Sequence, residues 1–142
     1  MVLWDTAGQE NYDMLRPISY PATDVFVVCF AVDSPDSFNN VARKWVPEVR
    51  HFSTSVPVVL VATKTDLRTD TETAERLAKC HQEPINTEDG LGLARAVGAS
   101  VYVECSAKRG IGVEGVFQKA AMASIRSRQF AAKPSHRNCV IL

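Results

Sequence analysis

The chain has 142 residues, of which 46% are hydrophobic, and 16 basic side chains balance 16 acidic ones. This length and apolar content predict one globular domain, and the balanced charge argues against a strongly basic nucleic-acid surface. No apolar run approaches the roughly 20 residues of a membrane span, and the N-terminus lacks the pattern of a secretion signal. The four cysteines have no metal-ligand spacing, so we expect reduced thiols in the cytosol.

The chain opens with an apolar segment, Met1–Trp4, which we expect to be the end of a strand. Directly after it comes the run Asp5-Thr6-Ala7-Gly8-Gln9-Glu10. In a nucleotide switch, Asp-x-x-Gly after a strand presents a carboxylate toward Mg²⁺, and the glycine lets a backbone N–H approach the terminal phosphate. Glutamine is the residue type that orients the attacking water. A bare Asp-x-x-Gly is an unspecific pattern, but the seven-residue run starting at Trp4 is specific.

Three further apolar runs predict strands: Val25–Val32, Val56–Ala62 and Val101–Cys105. Continuous, β-branched runs of this kind are typical of parallel strands buried on both faces, so we expect Cys29 and Cys105 to be core residues. Helical patterns separate the runs. The alternation predicts an α/β fold with a doubly wound, mostly parallel sheet.

The first of these helices is expected to begin at Ser34-Pro35, a favourable cap and first-turn pair, and to bend at Pro47. A second is expected to begin at Thr87, to bury Leu91, Ala94 and Val97, and to end at Gly98. The last begins near Val113 and continues to about Ala131.

A charged helix is predicted over about residues 69–82, with a capping box formed by Thr69 and Glu72. Two ion pairs at helical spacing, Glu72–Arg76 and Glu75–Lys79, would support it. The pattern fits a solvated surface helix and a partner-contact helix equally well.

Two polar segments follow the second and third long apolar runs. In Thr63-Lys64-Thr65-Asp66-Leu67, a carboxylate can accept two hydrogen bonds from guanine while the lysine stem packs on the base. Adenine lacks that pair of donors and would leave the carboxylate unpaired. Glu104-Cys105-Ser106-Ala107-Lys108 offers a backbone N–H for the guanine carbonyl oxygen. All three polar motifs follow successive strands at the carboxyl edge, where α/β sheets bind ligands.

This ordered set of motifs resembles the Ras-like small GTPases. Leu15-Arg16-Pro17, Ser34-Pro35-Asp36-Ser37 and the charged helix after Leu67 resemble the Rho family within them. The resemblance implies GTP/GDP and Mg²⁺ as ligands and GTP hydrolysis as the activity. It implies that Asp5 serves Mg²⁺ through water and that Gln9 positions the hydrolytic water. The phosphate and Mg²⁺ side would comprise Asp5, Thr6, Ala7 and Gly8, and the guanine side would comprise Thr63, Lys64, Asp66, Leu67, Ser106, Ala107 and Lys108.

The phosphate-binding sequence Gly-x-x-x-x-Gly-Lys-Ser/Thr occurs nowhere between Met1 and Leu142. By the resemblance, the first two strands, the first helix and the first switch of the family domain are missing. We therefore expect an incomplete GTPase domain over residues 1–131 and a flexible tail over 132–142. Phosphate and metal contacts supply most of the nucleotide affinity in such proteins, so this chain alone is expected to be inactive and unable to bind GTP tightly.

The last four residues, Cys139-Val140-Ile141-Leu142, match the prenylation motif C-a-a-X, and the terminal leucine favours geranylgeranyl. A single lipid gives reversible attachment, and no second cysteine lies nearby. We expect a cytoplasmic protein reversibly held at the cytoplasmic face of the plasma membrane or endomembranes.

Two functions follow from this sequence. The first is a Rho-type switch whose partners, by resemblance, are effectors, exchange factors, GTPase-activating proteins and dissociation inhibitors. The second is a non-catalytic prenylated interaction module or decoy that displays the second-switch surface, residues 9–20, and the charged helix. An upstream reading frame containing the phosphate-binding sequence would favour the first.

Overall fold

A computed structural model describes residues 2–6, 8, 11 and 13–131, with only the backbone of the last two of these. Its centre is a parallel sheet of three strands in the order β1 (Phe26–Ala31), β2 (Val58–Thr63) and β3 (Val101–Glu104). The three long predicted strands are therefore confirmed. The fold is an incomplete α/β domain with crossover helices between parallel strands.

Among the described residues, five α-helices accompany the sheet: α1 (Pro35–Asn40), α2 (Val46–Phe52), α3 (Thr71–Ala78), α4 (Thr87–Ala96) and α5 (Val113–Ala131). Short 3₁₀ helices cover Arg16–Ser19 and Thr65–Thr69. Within the described ranges, no helix is both long and apolar enough to cross a membrane.

The first crossover is one nearly continuous helical segment. Ser34 caps α1 by accepting a hydrogen bond from the Ser37 N–H at 3.3 Å, as the sequence predicts. A π-helical turn, Val41–Trp45, joins α1 to α2 immediately before Pro47. Proline has no N–H to donate and its ring crowds the preceding turn, so a widened turn at this point takes up the predicted bend.

The core lies on both faces of the central strand. Residues 58–62 are at most 1% exposed, and their side chains alternate between two apolar clusters. One cluster joins Phe30 and Leu60 to the α1–α2 segment and α4, and the other joins Val59 and Val61 to α5. Each fully buried side chain of this size contributes roughly 1.5–3 kcal/mol. The two helix layers thereby fix the carboxyl ends of β2 and β3.

The first strand is buried on one face only. Phe26, Val28 and Phe30 face the α1–α2 layer, whereas Val27 is 40% exposed and Cys29 is also exposed. The α5 cluster contains residues of β2 and β3 but none of β1. The prediction that Cys29 is a core residue was therefore wrong, while the prediction for Cys105 is confirmed.

The predicted strand at Met1–Trp4 was also wrong for its described part. Residues 2–6 have no regular secondary structure, and Trp4 is 75% exposed. A strand needs a neighbour for its N–H and C=O groups. No strand in the described part of the chain pairs with these residues.

Three details of the helices differ from prediction. The cap of α3 is Asp70, whose carboxylate accepts from both the backbone N–H and the hydroxyl of Thr73, so the capping box at Thr69 was wrong. Arg76 pairs with Asp33 instead of Glu72. In α4, Leu91 is 41% exposed, and Gly90 takes a buried position beside the ring of Tyr102.

Candidate functional site

The carboxyl ends of β2 and β3 bring the two predicted guanine segments together. The Cys105 N–H donates to the Ala62 carbonyl at 2.9 Å, and the Thr65 N–H donates to the Cys105 carbonyl at 3.2 Å. Both bonds cross between the end of one strand and the end of the other. The hydrogen bonding between β2 and β3 thus continues into the two loops that would hold a base.

Asp66 and Ser106, which we call the guanine pair, meet across these loops. The Ser106 hydroxyl donates a hydrogen bond to the Asp66 carboxylate, and this bond is the main cause of a lowered pKa at Asp66. The positive charges of Lys108 and Arg109 lower that pKa further. The carboxylate is therefore ionised at neutral pH and oriented by a side chain that is itself only 1% exposed.

The loop around Ser106 closes on itself. Ser106 and Ile111 exchange two backbone hydrogen bonds of 2.8 and 3.0 Å, and the Arg109 N–H donates to the Ser106 hydroxyl at 3.2 Å. Gly112 follows at φ +74°, where an added Cβ would lie 2.4 Å from the Glu104 carbonyl oxygen. This requirement for glycine was not predicted from the sequence.

The other guanine-side residues have distinct environments. The Thr63 hydroxyl donates to the Phe30 carbonyl at 2.9 Å, which ties the end of β2 to β1. Lys64 adopts a left-handed conformation with φ +57°, rare for a residue other than glycine, and its ammonium lies 3.4 Å from Asp33. Such strain in a loop is typical of functional sites.

Leu67, Ala107 and Lys108 complete the predicted guanine side. Leu67 is half-buried and packs against the core, where it anchors the loop from beneath. Ala107 and Lys108 are exposed, so their backbone N–H groups and the lysine stem are accessible to a ligand.

On the phosphate side, the structure describes Asp5, Thr6 and Gly8, whereas Ala7 and Gln9 lie outside the described residues. Asp5 and Thr6 are exposed and line an open pocket of about 270 Å³ with residues of the second-switch segment. Within the described ranges, no group of three or more metal-ligating side chains occurs. The single carboxylate of Asp5 fits the water-mediated role that the resemblance implies.

Arg16 fixes the described part of the second-switch segment, residues 9–20, to α2. Only 6% of Arg16 is exposed, its two bonds to Glu48 are 2.9 and 3.0 Å, and a third bond reaches Asp13 at 2.8 Å. The guanidinium also lies 4.8 Å from the centroid of Trp45, against which Gly8 packs. This network was not predicted from the sequence, although a buried arginine requires a partner for its charge.

A second network, also missed, lies beside the guanine pair. Arg68 makes two 2.7 Å bonds to the carboxylate of Glu104, and the hydroxyl of Tyr102 donates to the same carboxylate at 2.7 Å. The signal was present in the sequence: Glu104 is a charge inside an otherwise apolar strand run, and such a charge needs a buried partner.

Comparison with known proteins agrees with this geometry. A model of the Ras family matches residues 1–126. GTP-binding protein RHO1 of Candida albicans is 50% identical over 142 residues, covering 100% of this chain and 71% of the relative. GTP-binding protein rho1 of Schizosaccharomyces pombe is 49% identical over 147 residues (100% and 73%), and Rho-related GTP-binding protein RhoB of Homo sapiens is 50% identical over 142 (100% and 72%). The chain therefore belongs to the Ras family and, within it, to the Rho-type small GTPases.

Proposed function

We propose that this chain is the guanine-recognising and second-switch part of a Rho-type GTP/GDP switch that signals to cytoskeletal or trafficking effectors. The observation that supports it most is the guanine pair: an ionised Asp66 oriented by a buried Ser106 at the shared edge of β2 and β3. The arrangement holds a charged carboxylate at the edge where α/β sheets bind ligands.

Base recognition follows from the chemistry of these groups. The Asp66 carboxylate accepts hydrogen bonds from N1–H and the exocyclic amine of guanine, and the Ala107 N–H donates to the carbonyl oxygen. The stem of Lys64 covers one face of the base. Adenine offers an acceptor where guanine has N1–H, so it would leave the carboxylate unpaired and bind more weakly.

The hydrolytic role rests on the other end of the chain. Gln9 orients the attacking water, Gly8 offers its N–H to the γ-phosphate, and Asp5 holds a water of the metal shell, with Thr6 and Ala7 shaping the turn. When bound, Mg²⁺ neutralises charge on the β- and γ-phosphates. The phosphate-binding sequence does not occur in these 142 residues, so the chain alone has no turnover and no tight GTP binding.

Titration of the isotope-labelled chain with GDP and with ADP tests base recognition directly. The two ligands carry the same phosphates, so any preference reports the base. We expect weak binding of GDP, with NMR shifts at Thr65, Ala107 and Lys108, and weaker binding of ADP. Equal affinity, or shifts elsewhere only, would contradict the proposal. Submicromolar, Mg²⁺-dependent binding of a fluorescent GTP analogue would contradict the proposed weakness of the isolated chain.

A second function, a non-catalytic interaction module, is favoured by one observation. The second-switch segment and the residues before it expose large apolar side chains: Trp4 (75%), Met14 (91%), Leu15 (58%) and Ile18 (73%). Such a patch is typical of a protein-binding surface. A chain with no preference for GDP over ADP that still binds a protein partner, and loses it on Ile18→Ala, would support this function over the first.

Membrane attachment belongs to the same proposal. Cys139, which lies outside the described residues, would carry a geranylgeranyl group that holds the protein reversibly at the cytoplasmic face of the plasma membrane or endomembranes. There it would meet effectors, exchange factors, GTPase-activating proteins and dissociation inhibitors. Cys139→Ser should move the protein from the membrane fraction to the cytosol, whereas Cys80→Ser, at an exposed cysteine of the domain, should not. Membrane retention of the Cys139→Ser form would contradict the proposed anchor.

A further inference from the structure

Arg68 and Glu104, which we call the outer pair, form a bidentate ion pair. Two parallel bonds of 2.7 Å join the guanidinium to the carboxylate, and the side chains are 20% and 27% exposed. Bidentate pairs of this geometry fix both distance and orientation. Arg68 also donates a 2.8 Å bond to the Ile85 carbonyl and a 3.1 Å bond to the Thr87 hydroxyl.

Neighbouring residues pack closely around this pair. Tyr102 donates its hydroxyl to Glu104, and its ring lies where a side chain at position 90 would otherwise be. A Cβ on Gly90 would lie 2.0 Å from the tyrosine hydroxyl oxygen. The loop before α4, the first turns of α4 and β3 therefore converge on the guanidinium of Arg68.

The outer pair and the guanine pair join the same two segments. Arg68 follows Asp66 by two residues, and Glu104 precedes Ser106 by two residues. The Thr65 N–H also bonds to the Cys105 carbonyl at 3.2 Å. Residues 65–68 and 104–106 are thus joined at three points, of which only the guanine pair has a role in reading the base.

The geometry points to the outer pair as a positioning device for base recognition: it sets the separation of the two loops at which Asp66 and the Ala107 N–H reach guanine together. This inference rests on the proposed function. The arginine and glutamate do not touch the base. They act through the loops that carry the recognising atoms, because displacements of even 1 Å weaken two hydrogen bonds to one rigid ligand.

The test compares Arg68→Gln with Arg128→Gln, a matched control. Arg128 also pairs with one carboxylate, that of Asp24, but it lies at the opposite end of β1 and is exposed. Both variants lose one positive charge. Affinities for GDP and ADP are measured by NMR titration at fixed ionic strength, and the GDP-to-ADP preference is calculated for each. Arg68→Lys, which keeps the charge but not the bidentate fork, is measured alongside.

We expect Arg68→Gln to lower the GDP-to-ADP preference about fivefold or more, Arg68→Lys to restore part of it, and Arg128→Gln to leave it unchanged. An Arg68→Gln variant that is destabilised but keeps the wild-type preference would overturn the inference, since a purely structural pair predicts that result. A preference reduced equally by Arg128→Gln would overturn it as well.

Amide hydrogen exchange separates failure of this inference from failure of the proposed function. In Arg68→Gln, exchange at Thr65 and Arg109 should accelerate more than at Leu60 in the core, with no ligand present. If the wild-type chain shows no preference for GDP, the base-recognition proposal fails, and the positioning role fails with it because it presupposes guanine recognition. If the preference is present but exchange at Thr65 and Arg109 follows that of Leu60, only the positioning role is overturned.

Discussion

The carboxyl ends of β2 and β3 and the outer side of β1 differ in how completely they are enclosed. In the first region, Ser106 is 1% exposed and closes its loop through Ile111. In the second, no strand of the described residues pairs with the outer edge of β1, and Val27 is 40% exposed. The two loops that follow β2 and β3 are therefore organised by hydrogen bonds to each other, whereas Asp5 and Thr6, on the predicted phosphate side, are exposed beside an open pocket.

Core substitutions give the largest test of this difference. Leu60→Ala, at a position with no exposure, should lower the free energy of unfolding by about 2–5 kcal/mol. Val27→Ala, on the open face of β1, should lower it by less than about 1 kcal/mol. Urea denaturation of both variants measures the contrast. Equal losses would mean that the outer face of β1 is covered in solution.

Two glycines in α4 offer a matched pair of intermediate effect. Gly90→Ala should destabilise the chain by about 1–3 kcal/mol, because the new methyl group clashes with the Tyr102 hydroxyl. Gly92→Ala should stabilise it by about 0.5–1 kcal/mol, since a Cβ there meets nothing within 4 Å and alanine favours helix. Thermal unfolding of the two variants measures both changes in stability. A neutral Gly90→Ala would contradict the close approach of Tyr102 to α4.

Acid pH should weaken the enclosed region through Glu104. Arg68 is the main cause of the lowered pKa of Glu104, which falls to about 2 from an ordinary 4.5. A carboxyl group with a lowered folded-state pKa stabilises the fold above its unfolded pKa, and this stability is lost as pH falls from about 4.5 toward 2. Its contribution at neutral pH is on the order of 1–2 kcal/mol after solvent screening. Urea titrations of wild type and Glu104→Gln should diverge at pH 7 and converge near pH 2; a constant difference would contradict the pair.

Hydrogen exchange along β1 gives the smallest and most local effect. The Phe26 N–H donates to the Pro57 carbonyl, just before β2, at 3.0 Å, and the Val32 N–H donates to the Thr63 carbonyl at 3.1 Å. Alternation therefore places the N–H groups of Val28 and Phe30 on the same side. Val27 and Cys29 then present their N–H groups at the open edge. We expect rapid exchange at Val27 and Cys29 and slow exchange at Val28 and Phe30. Uniform protection would indicate that another strand covers this edge.

The structural features that depend on local sequence patterns were predicted correctly. The apolar runs predicted β1 to β3, and Ser34 was correctly identified as the cap of α1. The two guanine segments were predicted to meet because parallel strands end at the same edge, and they do. In each case, the residues involved interact with near neighbours in the chain or lie at the end of a predicted strand.

The predictions failed where contacts between residues far apart in the sequence determine the structure. A strand was predicted at Met1–Trp4 and burial at Cys29, yet both require a partner that no described residue supplies. Arg76 pairs with Asp33, 43 residues away, in preference to a helical neighbour. The outer pair spans 36 residues. Such contacts depend on the assembled fold, so a single sequence gives only the hint that a charge within an apolar run must find a partner.

The most direct test of guanine recognition is the base preference of Asp66→Asn. Asparagine presents one donor and one acceptor where the carboxylate presents two acceptors, so it matches xanthine better than guanine. Titration of wild type and variant with GDP and with xanthosine diphosphate should show a reversed preference, with about 1.5–3 kcal/mol lost for GDP, or roughly ten- to a hundredfold in affinity. An unchanged preference for GDP in the Asp66→Asn chain would contradict the assignment of residues 63–66 to the base.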